Sequence, residues 1–177
     1  LFLNAGDSFV NSNSLGDFFR ETPVEDIIYA NANFVSETER FTKIYPDIID
    51  LDYMMQDTIP HQAAMIKKSL FDKVGLYDES LKMVADWKFF IIAICLHKAT
   101  YKHRDFVAVD FDWNGLPSRP ENHHLHMYER HKVYWEYFPD SRSGDIHMAR
   151  IRYLQGILKR IRRKIQNYCV FCLQWGF

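Results

Sequence analysis

Three short stretches carry residue types able to do chemistry. Asn4-Ala5-Gly6-Asp7 follows the apolar run Leu1-Phe2-Leu3. Pro60-His61-Gln62 sits mid-chain, and Met83-Val84-Ala85-Asp86-Trp87 leads into the most apolar part of the sequence. Leu1 to Leu3 reads as a short buried strand, with Gly6 and Asp7 as the turn that ends it. An acidic residue at the carboxyl end of a buried strand is where an open α/β sheet places its ligand chemistry. Asp7 suits that role, and it equally suits a plain turn cap. Asp86 stands at the head of a helix, where capping and the helix dipole favour a carboxylate. His61 and Gln62 offer hydrogen-bond donors and acceptors in a loop, or His61 is simply satisfied by backbone. His123, His124, His126 and His131 form a histidine-rich run. His123 and His126 share a helix face at i, i+3 and could help hold a metal; a solvated face is the simpler account.

The elements that must position these residues follow from periodicity. Asn11 to Glu21 reads as a loop and short helix with Leu15, Phe18 and Phe19 at helical spacing. Asp26 to Phe34 is rich in β-formers and predicts a strand, with Phe41 to Tyr45 hairpinned to it. Ile59 to Lys67 reads as a loop entering a strand. Ser69 suits the N-cap of a helix over 70–74, and Gly75 its end. Asp86 to His97 is apolar nearly all round and predicts a buried helix. Tyr101 to Phe111 predicts one or two strands, and 114–118 a loop. Glu121 to Phe138 reads as a helix packed through Leu125, Tyr128, Val133 and Tyr137.

Taken in order with Phe71-Asp72-Lys73-Val74-Gly75-Leu76-Tyr77-Asp78-Glu79, the three stretches resemble family 2 glycosyltransferases. These are inverting enzymes of the GT-A fold that build bacterial surface polysaccharides. The resemblance spans Leu1 to Pro139, and its most specific part is HQAAMIKKSLFDKVGLYDESLKMVADWKF. It implies an α/β fold: the acceptor-side, C-terminal part of a GT-A, Rossmann-like mixed sheet with flanking helices over residues 1–140. A nucleotide-binding half would precede Leu1, so the chain reads as an N-terminally truncated piece, inactive by itself.

The implied activity is transfer of a sugar from a nucleotide-sugar donor to a glycan or lipid-linked acceptor. Such transfer needs a positive group to hold the departing diphosphate, for which Mg²⁺ or Mn²⁺ on carboxylates is suited. It also needs a base for the acceptor hydroxyl. On the resemblance Asp7 is the metal ligand and Asp86 the catalytic base. Asn4 is a neutral oxygen ligand or phosphate contact, and His61 and Gln62 bind sugar hydroxyls or phosphate. Trp87 is a sugar-stacking platform or a core anchor. The chain departs from the family in two places. Asn4 and Gly6 replace the leading carboxylates of the Asp-Xaa-Asp motif, and Ala85-Asp86 keeps one acid of a pair. A non-catalytic carbohydrate- or lipid-binding module is the alternative, and a subunit completing another chain's sheet is a third reading.

Charge divides the chain. Its net charge is −1, yet residues 146–177 hold seven Lys/Arg and no Asp or Glu, leaving −8 on residues 1–145. Residues 141–177 read as a basic amphipathic helical tail, with Leu154, Ile157, Leu158, Ile161 and Ile165 on one stripe and Tyr168, Trp175 and Phe177 near the end. That pattern best fits a membrane surface, ahead of packing on the domain, and not nucleic acid. It suggests a cytoplasmic protein, peripheral at the inner face of the cell membrane. Three cysteines, Cys95, Cys169 and Cys172, argue against a disulfide framework and for a reducing compartment. An aromatic content of 16% reads as a Phe-rich core before it reads as a ligand platform.

Overall fold

A computed structural model describes residues 1–113 and 122–139, all within the compact unit Leu1–Pro139. The expected loop at 114–118 and the basic tail at 141–177, with Cys169 and Cys172, lie outside the described residues.

The organising element is the strand Ile27–Val35, here β2 after a two-residue β1 at Ser8–Phe9. Residues 27–33 are buried without alternation, as expected of a strand covered on both faces. Small residues at Ala30 and Ala32 let other elements approach closely. On one edge, β3 (Arg40–Lys43) pairs antiparallel from Ala32↔Lys43 to Val35↔Arg40. The Ser36 hydroxyl oxygen, which accepts N–H groups of Thr38 and Glu39, fixes the turn between them. β4 (Ala64–Ile66) takes the first half of the same edge, antiparallel to Ile27–Tyr29. On the other edge β5 (Tyr101–Asp112) runs parallel to β2 from Ile27↔Tyr101 to Val35↔Asp112. β1 pairs antiparallel with β5. The result is an open mixed sheet in the order β1-β5-β2-β3, with β4 beside β2.

The β2/β5 register slips around Asn31, where Ala30↔Arg104 is followed by Asn31↔Val107. The slip frees the buried Asn31 amide to work as a hub. Its Oδ1 accepts the Tyr45 N–H at 3.0 Å and faces His103 Nε2 at 2.8 Å, while Nδ2 donates to Asp105 at 3.1 Å. Every buried polar atom of this side chain is thus satisfied.

Helices cover the sheet. These are α1 (Ser14–Phe18), α2 (Leu51–Gln56), α3 (Lys68–Val74), α4 (Ala85–Ile91) and α5 (His123–Tyr137). Asp50 caps α2 by accepting the Tyr53 N–H at 2.7 Å. α3 ends at Gly75, whose φ of +98° suits only glycine without strain. α4 does not continue as an α-helix to His97: it widens into a π-helical turn over Ile92–Leu96. Trp87, Phe90 and Ile91 of α4 are fully buried, together with Tyr29, Met54 and Ile59.

Several expectations are corrected. Leu1 to Leu3 is not a buried strand: the strand lies later, at Ser8–Phe9, and Phe2 and Leu3 are exposed at 46% and 39%. No neighbouring strand pairs with the first three residues among those described, and Phe2 instead packs its ring on Phe71 and Tyr77. Of the three apolar positions expected at this helix only Phe18 is buried, against Phe106, while Leu15 and Phe19 face solvent. Ser69 is not a cap, because α3 already starts at Lys68. On α5 Val133 is buried as expected, but Tyr128 is exposed, and Glu129, Arg130 and Tyr134 turn inward instead.

Candidate active site

All six residues singled out from the sequence, Asn4, Asp7, His61, Gln62, Asp86 and Trp87, line one cleft of about 430 Å³. It lies by the carboxyl ends of the parallel strands β2 and β5, with Phe34 and Asp112 in its wall. Ligands of open α/β sheets bind at such ends. Lys43, Asp57, Lys82, His126 and Arg130 complete its polar lining.

The first wall is the Asn4–Asp7 turn. Asp7 Oδ2 accepts the Asn4 N–H at 3.1 Å, and Asp7 Oδ1 accepts the Asp112 N–H at 3.0 Å. The carboxylate therefore ties the turn to the last residue of β5. Gly6 has a φ of +97°, and a Cβ there would come within 2.7 Å of Asp112 Oδ2. Glycine is required both by its backbone and by this close approach.

The second wall is the entrance to α4. Asp86 lies in the first helical turn, and its Oδ1 accepts the Trp87 N–H at 2.7 Å. Its Oδ2 faces His61 Nδ1 at 2.9 Å, and its side chain is 27% exposed to the cleft. His61 enters from a 3₁₀ turn at His61–Ala63 that leads straight into β4. Across the ring, His61 Nε2 faces Asn4 Nδ2 at 3.2 Å. The three separate stretches of sequence thus meet in one hydrogen-bonded chain, Asn4–His61–Asp86.

The third wall is α5. The buried Glu129 carboxylate accepts the backbone N–H groups of Lys82 and Met83, at 3.0 and 2.9 Å, just before α4 begins. Arg130 lays its guanidinium over the Trp87 ring, 4.7 Å from the centroid, and donates to the Asp57 carbonyl at 2.8 Å. Burial pushes the Arg130 pKa down to about 10 and that of His126 down to about 4, with the nearby Arg130 and His123 adding to the latter.

Two expected roles change. Trp87 is a core anchor rather than a sugar platform: it is 1% exposed, its Nε1–H donates to the Met54 carbonyl at 2.6 Å, and Arg130 covers its ring. His61 is satisfied by two side chains, not by backbone. Gln62 is 5% exposed. As for a divalent cation, both oxygens of Asp7 are engaged by backbone N–H groups. No group of three or more His, Cys, Asp or Glu side chains converges among the described residues. His123 and His126 are included in that statement. The described residues thus hold no ready-made multi-carboxylate cation site; Asp7 acts as a turn clamp, and its remaining lone pairs leave room for a cation shared with a diphosphate.

Lys43, Lys82, Asp112 and Arg130 were missed in the sequence, while His126, singled out as a possible metal ligand, lines the cleft. Only Lys82 lies within the stretch that carries the resemblance; the others reach the cleft through sheet pairing or helix packing. No protein-family model, curated protein or solved structure matches the chain. No helix of the described residues is long and apolar enough to cross a membrane.

Proposed function

We propose that this chain carries the acceptor-side half of an inverting family 2 glycosyltransferase of GT-A architecture. It would move a sugar from a nucleotide-sugar donor to a glycan or lipid-linked acceptor. The observation that carries the reading is the placement of Asp86: a partly exposed carboxylate, held from behind by His61 and by the Trp87 N–H, with its remaining lone pairs available to the cleft. A carboxylate has about four acceptor sites, so two hydrogen bonds leave room for a substrate hydroxyl.

The chemistry assigned to this chain is short. Asp86 takes the proton of the acceptor hydroxyl. The acceptor oxygen bonds to the anomeric carbon from the face opposite the leaving group. The bond from that carbon to the diphosphate oxygen breaks, and the electron pair departs with the nucleoside diphosphate. Lys82 lines the cleft and is exposed. Its ammonium has no ion pair among the described residues, so it is the cation this half offers to the leaving group. Gln62 supplies a buried amide to orient sugar hydroxyls, and the Phe34 and Phe111 rings give the apolar part of the lining.

The test, made on this chain joined to its donor-binding half, is release of nucleoside diphosphate from a panel of UDP- and GDP-hexoses, with water and simple alkyl glycosides as acceptors. The Asp86→Asn variant should turn over roughly 10²–10⁴-fold more slowly, the range for loss of a general base. Donor affinity should change little, because the base contacts the acceptor. Unchanged turnover in that variant removes Asp86 from the mechanism. Binding of sugars without any release of nucleoside diphosphate supports a non-catalytic carbohydrate-binding module instead.

A further inference from the structure

We propose that Asn4 and His61 form a positioning relay that fixes the orientation of the Asp86 carboxylate. The relay rests on the glycosyltransferase reading for its purpose, but its geometry stands by itself. The Asn4 amide nitrogen can only donate, so His61 Nε2, 3.2 Å away, must accept. The ring hydrogen is then on Nδ1, where it donates to Asp86 Oδ2 at 2.9 Å. A histidine tautomer is set by the hydrogen bond its other nitrogen makes. Asn4 and Asp86, one at each ring nitrogen, thus select the same tautomer, and that tautomer donates to the Asp86 carboxylate. With Trp87 N–H on Oδ1, the carboxylate is held at both oxygens. Its plane cannot rotate without breaking one bond.

The arrangement explains residues that the sequence alone leaves as candidate substrate contacts. Both ring nitrogens of His61 are engaged within the protein, so neither is free for a sugar. Asn4 is exposed and contributes little burial, yet its donor on Nε2 agrees with the Asp86 acceptor on Nδ1 in placing the ring hydrogen on Nδ1. His61 and Asn4 are positioning residues, acting through Asp86.

Two readouts test the relay. The first is a long-range ¹H–¹⁵N correlation spectrum of the histidine rings in labelled protein at about pH 8, above the ordinary histidine range. His61 should carry its hydrogen on Nδ1. In Asn4→Asp, whose side chain can only accept, Nε2 should become protonated. Because Asn4 is exposed, this variant should remain folded. A wild-type ring with its hydrogen on Nε2 alone overturns the proposal.

The second readout is turnover of whichever nucleotide hexose the panel above identifies. His61→Ala should lower kcat on the order of 10- to 100-fold with donor KM little changed, the scale for a misplaced reacting group. His61→Asn, which keeps an amide donor, should recover part of the loss. In the Asp86→Asn background His61→Ala should cost nothing more, because residues that act as a unit are non-additive. Full multiplicative loss in the double variant overturns the relay. Unchanged turnover in Asp86→Asn alone removes Asp86 from the mechanism, and no release of nucleoside diphosphate at all overturns the glycosyltransferase reading, while the ring spectrum still decides whether the hydrogen-bond chain exists.

Discussion

Replacing Glu129 by glutamine would disconnect the helix α5 from the entrance to the candidate site. The Glu129 carboxylate is 4% exposed and accepts two backbone N–H groups, Lys82 at 3.0 Å and Met83 at 2.9 Å. Glutamine keeps the shape but presents one oxygen and one NH₂. One backbone N–H keeps a partner of neutral strength; the other meets a second donor. Hydrogen bonds to charged groups are worth about 1.5–3 kcal/mol, against about 1 kcal/mol for neutral ones. Losing one charged bond and weakening the other costs roughly 2–4 kcal/mol. At about 3 °C per kcal/mol for a unit of this size, the melting temperature should fall by roughly 6–12 °C. Thermal unfolding followed by circular dichroism measures this, with Glu136→Gln, exposed on the same helix, as a control expected within about 0.5 kcal/mol. A fall no larger in Glu129→Gln than in the control would refute the argument that this carboxylate clamps the loop. The same clamp sets where Asp86 starts its helix, so Glu129→Gln should also reduce turnover in the panel assay.

Trp87→Phe removes the indole N–H that the Met54 carbonyl accepts and opens a void under Arg130, so it should destabilise by roughly 2–4 kcal/mol in urea unfolding. Gly6→Ala forces a positive φ on a side chain and drives its Cβ into the Asp112 carboxylate; a loss of at least ~1–2 kcal/mol is expected, and an unchanged midpoint would show that the turn is not so constrained. His126 has its pKa lowered from 6.5 to about 4, chiefly by burial. A histidine depressed in the folded state contributes stability that is present above its unfolded value and is lost as pH falls through the folded one. Stability should decline by about 2–3 kcal/mol between pH 6.5 and 4, and His126→Gln should flatten that part of the curve. The seven Lys/Arg of residues 146–177 should draw the chain onto anionic vesicles, at about 1 kcal/mol per basic residue near the surface, and the binding should weaken with salt. No co-sedimentation at low salt would remove the membrane surface as a partner.

The sequence by itself determined the elements whose signal is local. Ile27–Val35 and Arg40–Lys43 are legible as a hairpin because β-formers flank a polar turn, and Gly75 marks the end of α3 because a positive φ needs glycine. The apolar run after Asp86 is legible as buried because no face of it is polar. The stretches that form the cleft were also visible, as residue types in a recognisable order. Only the tertiary structure decided what those residues do. Asn4 and His61 are 57 positions apart, and His61 and Asp86 are 25 apart, so no local pattern reports that they touch. The parallel pairing of β2 with β5 joins segments some seventy positions distant and delivers Asp112 to the Asn4–Asp7 turn. Trp87 reads in the sequence as a core anchor ahead of a sugar platform, and only Arg130, placed across its ring from α5, decides it. The first three residues, apolar enough for a strand, lack one because a strand exists only where a neighbour completes its hydrogen bonds. Periodicity records which face of an element is apolar; it does not record which distant side chain will stand opposite, and the site is made of such meetings.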